Sequence, residues 1–223
     1  MAPRSHRKDR TPPSEESATD TGQETCSLAH VVRGVSCATA PNVARLFYQS
    51  FGAPLAGLAL PRDREAGIAL LAASICLEEV YAALDAQGHL LGVAFITGHG
   101  RSRRIQREAL VAAFGRLGGM WRYAAYQVFF SHPRAFPRAV RGLEGFSVEG
   151  SCRSRGIGAA MLAKMIEDAR SEGASAIELN VGDNNPARHL YERFGFRATR
   201  TASTGIFAKR LGFKRFVYYE LQL

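Results

Sequence analysis

The spacing of apolar positions divides the chain into alternating short strands and helices. Val31 to Val35 reads as a first strand. Pro41 opens a helix in which Val43, Leu46, Phe47 and Phe51 recur with the helical period, ending at Gly52. Pro61 to Ala73 predicts a second helix. Val80–Leu84 and Leu90–Thr97 predict strands joined by the turn Asp85-Ala-Gln-Gly88. Arg101 to Phe130 has Ile105, Leu110, Val111, Phe114 and Leu117 on one helical face. Gly118-Gly119 is expected to break this helix in two, and Pro133 and Pro137 to end the region. Leu143–Val148 follows as the central strand. Gly156–Arg170 is then a helix with Ile157, Met161, Met165, Ile166 and Ala169 inward. In Ala176–Val181, Ile177, Leu179 and Val181 alternate with Glu178 and Asn180, the mark of a half-buried strand. Asn185 fits an N-cap, Pro186 the first helical position and Gly195 the residue past the helix end. Phe196–Thr199 and Phe216–Leu221 make a last hairpin with a long connection. The order βααββ(αα)βαβαββ predicts an α/β fold.

Length and composition add one domain and a tail. The 223 residues suffice for one well-buried domain. Residues 1–26 are rich in Ser, Thr, Pro and charge and predict a disordered polar tail without a secretory h-region, leaving residues 27–223 as the domain. The formal net charge is +9. Residues 27–223 alone carry +10, 25 basic side chains against 15 acidic ones, and residues 1–26 carry −1. Such a surface suits a polyanionic partner, a phosphorylated cofactor or nucleic acid, or is merely solvated. Ala109 to Phe130 is interrupted by Arg116, Arg122 and three glycines, so no membrane-spanning helix is expected. The four cysteines show neither a Cys-x-x-Cys pair nor a metal spacing with histidine. They read as reduced thiols of a cytoplasmic protein that binds no metal.

The candidate chemistry lies late in the chain. Val148 ends a strand that runs through Glu149-Gly-Ser-Cys into Arg153-Ser-Arg-Gly-Ile-Gly158, and a helix follows directly. Such a loop aims backbone N–H groups at one point, backed by the positive end of the helix dipole, and forms an anion site for a phosphate or pyrophosphate. Gly156 and Gly158 let the backbone approach the ligand closely. A P-loop fits worse, because Gly158 is followed by Ala-Ala instead of Lys-Ser/Thr. A dinucleotide fingerprint fits worse too, because the motif sits late in the chain and lacks the Gly-x-Gly-x-x-Gly spacing. A second segment, Asn184-Asn-Pro-Ala-Arg-His-Leu-Tyr-Glu-Arg-Phe-Gly-Phe196, places Tyr191 inside a helix closed by Gly-Phe.

Taken together, these motifs resemble the GNAT superfamily of acyl-CoA-dependent N-acyltransferases. Arg153 to Gly158 matches its Arg/Gln-x-x-Gly-x-Gly/Ala loop. Asn184, Ala187, Leu190, Tyr191, Glu192, Gly195 and Phe196 match its second pattern. Gly150 departs from the proline found in many relatives. The close likeness covers about 142–197. It implies a mixed, mostly antiparallel central sheet flanked by helices, here with a helical insert at about 100–141 between the third and fourth strands. Acetyl-CoA would be the acyl donor. It would be held by Phe146, Ser147, Val148, Arg153, Ser154, Arg155, Gly156, Ile157, Gly158, Ala159 and Asn184, with Tyr191 beside the departing thiolate as its proton donor. The partner would be an amine acceptor.

Direct attack needs a neutral amine. A lysine-like amine is mostly protonated near neutral pH, so a base is useful. Glu144, read on the same strand face as Phe146 and Val148, is the first candidate, with Glu149 and His132 as alternatives. Packing accounts for Tyr191, helix capping for Asn184, and ion pairing for Glu144, if none is catalytic. Cys152 reads as an inert thiol. Met120, Trp121, Tyr123, Tyr126, Phe129 and Phe130 make the insert a core cover, a homodimer contact or an acceptor wall. A non-catalytic acyl-CoA-binding module and a nucleic-acid-associated protein are the competing readings.

Overall fold

The computed structural model describes residues 26–56, 60–98, 107–129 and 139–223. Seven strands form one sheet in the order β1-β2-β3-β4-β5-β7-β6. They are β1 (His30–Arg33), β2 (Val80–Leu84), β3 (Leu90–Thr97), β4 (Val140–Val148), β5 (Ala176–Gly182), β6 (Arg197–Ser203) and β7 (Arg215–Gln222). All neighbours are antiparallel except β4 and β5. The helices are α1 (Ala40–Leu55), α2 (Arg64–Ala72), α3 (Arg107–Phe129), α4 (Ile157–Ser171), α5 (Arg188–Arg193) and α6 (Ala208–Leu211). Residues 1–25 of the expected tail lie outside the described residues, as do Ile105, Phe130 and His132.

Two apolar layers sandwich the sheet, as strand alternation requires. One collects Met161, Leu162, Met165 and Ile166 of α4 and Tyr191 of α5 against Ile96, Leu143, Ile177, Leu179 and Tyr219. The other packs Val43, Leu46 and Phe47 of α1, Ile68 and Leu71 of α2 and Leu110 of α3 against Val80, Val93 and Phe95. Asp63 caps α2, its side chain accepting from the Ala66 N–H at 2.8 Å.

The insert bends at a different glycine from the expected pair. Gly115 (φ 71°, ψ 171°) interrupts α3, a conformation closed to most other residues. Gly118 and Gly119 stay inside the second helical piece. A Cβ added at Gly119 would stand 2.5 Å from Val111 Cα and 2.6 Å from the Leu110 carbonyl oxygen. The two pieces therefore fold onto each other as a corner, with Gly119 as the contact point. Leu117, 89% exposed, lies off the buried face expected for it, because the bend at Gly115 breaks the helical phase.

The cysteine expectation is also corrected. Cys26 and Cys152 are joined by a disulfide, with Cα atoms 5.3 Å apart, while Cys37 and Cys76 are free. A sequence separation of 126 hid this pairing from any local spacing rule. Cys152 is thus bonded and is not the free inert thiol expected, and Cys26 belongs to the folded domain and not to the tail.

Candidate functional site

The site starts from a short seam. β4 pairs with β5 over four residues only, Val140–Leu143 against Ala176–Leu179. Beyond them β5 stays with β7, and β4 stays with β3. The two halves of the sheet splay and leave a gap beside Glu144–Val148. Glu149 N–H donates to the Leu91 carbonyl at 2.9 Å. By the alternation of an antiparallel ladder, Val148 directs its own N–H and C=O to the other side, into the gap. The Val148 carbonyl accepts there from Arg153 Nε at 3.2 Å.

A bulge sets which side chains face which layer. Phe95 pairs with Glu144 and Val93 with Ser147, so β4 carries one residue more than β3. Gly145 adopts φ 60° at this point. The expectation that Glu144 shares a face with Phe146 and Val148 fails for this reason. Glu144 pairs with Phe95 and faces the α1–α2 layer, whereas Phe146 and Val148 pack on the α4–α5 layer. Glu144 is exposed and makes no hydrogen bond or ion pair with a described residue. Ser147, expected to hold the donor, is buried instead against α1. Its hydroxyl bonds Ser50 Oγ at 2.5 Å and donates to the Leu46 carbonyl at 3.4 Å.

The anion loop has the expected form. Gly150–Cys152 makes a 3-10 turn, with the Glu149 carboxylate accepting from the Gly150 N–H. Ser154 (φ 61°) and Gly156 (φ 81°) are left-handed. Residues alternating in this way turn successive N–H groups toward one point. Gly156 then caps α4 without a side-chain bond, and the first helical bond runs from Ala160 N–H to the Gly156 carbonyl at 3.0 Å. The N–H groups of Ile157, Gly158 and Ala159 in the first turn are left for an outside acceptor. A Cβ at Gly156 would meet nothing within 4 Å, whereas one at Gly158 would press on Leu190 and Phe146 at 3.4 Å. The first glycine serves the turn and the second a close α4–α5–β4 approach. Arg153 and Arg155 are exposed, and Ile157 is buried beneath the loop.

Tyr191 sits beyond the gap on α5. Asn185 Oδ1 accepts from the Ala187 N–H at 2.9 Å as an N-cap should, although regular helix starts two residues after Pro186. Gly195 (φ 89°) closes it, with Phe196 N–H returning to the Tyr191 carbonyl at 3.1 Å. The Tyr191 ring is 5% exposed and meets Phe146 edge-on at 6.4 Å. Its hydroxyl has no hydrogen-bond partner among the described residues, and burial pushes its pKa up to about 12. An orphaned buried hydroxyl is uncommon and is consistent with a ligand partner. The sequence did not reveal the brace behind it. Tyr219 Oη accepts from Arg188 Nε and donates to Glu192, both at 2.9 Å. Alternate positions on β7 bring Tyr219 to α5, a pairing visible only once the strand order is known.

Asn184 is engaged otherwise than expected. Its Nδ2 donates to the Gly212 carbonyl at 2.9 Å, tying the gap to the β6–β7 connection. That connection runs through α6, and Arg210 donates to the Ala56 carbonyl past the end of α1. It thereby bridges to the α1–α2 layer, the face that Glu144 shares. Among the described residues no group of three or more His, Cys, Asp or Glu side chains is placed to hold a metal ion. No described helix is long and apolar enough to cross a membrane.

The architecture is a mixed sheet splayed beside a helix start whose first N–H groups are open. Residues 108–196 match the family model of the acetyltransferase (GNAT) family. Solved structures share the fold. A GCN5-related N-acetyltransferase from Kribbella flavida is 21% identical, with a TM-score of 0.57 over 87% of this chain and 97% of that one. A structure described as an acetyltransferase gives 20% identity and a TM-score of 0.57, over 87% of this chain and 99% of the other. An N-acetyltransferase from Staphylococcus aureus Mu50 gives 17% identity and a TM-score of 0.52, over 87% and 99% of the two chains. No curated protein matches the chain.

Proposed function

We propose that this chain transfers an acetyl group from acetyl-CoA to a primary amine by direct attack. The observation that carries this reading is the buried Tyr191 hydroxyl, unpartnered among the described residues, across a strand gap from a loop with open N–H donors. The donor fits the residues present. The loop from Arg153 to Ala159 offers main-chain N–H groups and the α4 dipole to a pyrophosphate. Val148, with its N–H turned into the gap, is the donor for negative charge developing on the thioester carbonyl oxygen. Tyr191 stays protonated at neutral pH and supplies the proton that the departing thiolate needs. Glu144, free and exposed on the opposite face, takes the proton from the incoming ammonium through water.

The acceptor approaches from the α1–α2 face in this scheme. Lys209, Arg210, Lys214 and Arg215 on the bridging connection favour an acceptor that carries a carboxylate or phosphate as well as its amine. The activity belongs to the cytoplasm in this reading. Incubation with acetyl-CoA and a panel of amines, with and without acidic groups, tests the proposal by thiol release. Turnover with at least one amine is expected. Saturable acetyl-CoA binding without turnover on any amine would favour a binding module, and no binding at all would remove the assignment.

A further inference from the structure

We infer that the Cys26–Cys152 disulfide is a reducible staple that fixes the start of the anion loop, so that the redox state of the chain tunes its hold on coenzyme A. The coenzyme A part of this inference rests on the function proposed above; the effect on the loop does not.

Cys152 ends the 3-10 turn, and the next residue, Arg153, opens the loop. Few other bonds hold the loop at this end. Cys152 N–H reaches the Glu149 carbonyl at 3.0 Å, Arg153 N–H reaches the Gly150 carbonyl only at 3.5 Å, and Arg153 Nε holds the Val148 carbonyl. The N–H groups that follow are those left open for a ligand. A loop that must present unpaired donors cannot be fixed by its own hydrogen bonds, and the cross-link supplies the missing constraint from outside. The segment holding Cys26 is lightly attached in turn. Cys26 and Leu28 pack against the α4 layer, and Ala29 N–H donates to the Leu84 carbonyl at 2.9 Å before β1 begins. Once the bond is cut, this segment frays and uncovers Cys152 and the buried underside of the loop. Binding must then order a looser loop, and affinity falls because preorganisation is lost.

The chemistry needs a dithiol reductant. Cys26 is partly exposed while Cys152 is 3% exposed, so the attacking thiolate reaches the Cys26 sulfur. A mixed disulfide forms on Cys26, and Cys152 leaves as a thiolate and takes a proton. The second thiol of the reductant then displaces Cys26, which leaves as a thiol. Two electrons and two protons pass to the protein, and the reductant ends as a cyclic disulfide. Oxidised glutathione reverses the reaction. In a cytoplasm held reducing, a bond of this kind is transient and responsive, unlike a permanent secreted cross-link.

The test uses the full chain in three forms: oxidised with glutathione disulfide, reduced with dithiothreitol, and Cys26→Ser. Coenzyme A affinity is measured by calorimetry, and amide exchange of residues 150–160 by mass spectrometry without ligand. Reduction is expected to raise the Kd roughly three- to tenfold and to speed exchange in the loop, both reversed on reoxidation. Cys26→Ser should match the reduced form and ignore dithiothreitol, which separates the effect from Cys37 and Cys76. Equal affinity and equal loop exchange in the two redox states would overturn the inference. So would peptide mapping that finds no 26–152 bond after oxidation. Should coenzyme A bind neither form, the functional reading falls while loop exchange still decides the staple.

Discussion

At the scale of single residues, the proposed function gives Tyr191 the proton and the loop around Gly158 the phosphate. Burial raises the Tyr191 pKa to about 12, so the hydroxyl stays protonated well into the alkaline range. Tyr191→Phe should lower kcat by about 10²-fold, the scale of lost general-acid help, with little change in the acetyl-CoA KM. A raised pKa keeps the acid form intact as pH rises, so wild-type kcat should show no alkaline fall below about pH 11 attributable to this group. A kcat unchanged by the substitution would leave Tyr191 a packing residue. Gly158→Asp should weaken coenzyme A binding by at least about 10²-fold in calorimetry, since a side chain there presses on Leu190 and Phe146 and brings a negative charge to the phosphate site. The two local forms were legible in the sequence because local chemistry fixes them: a glycine turn before a helix, and a tyrosine inside a helix bounded by Asn185 and Gly195. The face of Glu144 was not legible. It depends on whether Gly145 continues the pleat or bulges, and only the register with β3 decides that.

At the scale of elements, the strands and α4 fell close to where their periodicity put them, while the insert did not. A lone Gly115 looked weaker than the pair Gly118-Gly119, yet the bend sits at the residue whose left-handed φ is needed. The pair was misread because a glycine required for close contact looks the same in sequence as one required for a turn. Gly119→Ala separates these roles. Its Cβ would meet backbone, which cannot swing aside, so a loss of about 1–3 kcal/mol in urea denaturation is expected. A neutral substitution would mean that the corner opens without cost. The β6–β7 connection is the other element with a consequence. Charge reversal at Lys209 and Arg210 should raise the acceptor KM several-fold and leave the acetyl-CoA KM alone, because Arg210 reaches across to the α1–α2 layer. An unmoved acceptor KM would assign the connection to solvent.

For the molecule as a whole, the seam between β4 and β5 has a thermodynamic consequence. Four paired residues join the β1–β4 portion of the sheet to the β5–β7–β6 portion, with α4 as the covering bridge. So narrow a strand join predicts two cooperative blocks, tied chiefly by the shared apolar layer under α4. On heating without ligand, the calorimetric enthalpy should exceed the van't Hoff enthalpy, as it does when parts melt separately. A donor bound across the gap would touch the loop on one portion and α5 on the other, and would count toward the stability of both through linkage. Saturating coenzyme A should therefore narrow the melting transition and bring the two enthalpies together, as well as raise Tm. A ligand that raised Tm without narrowing the transition would have to sit on one portion alone.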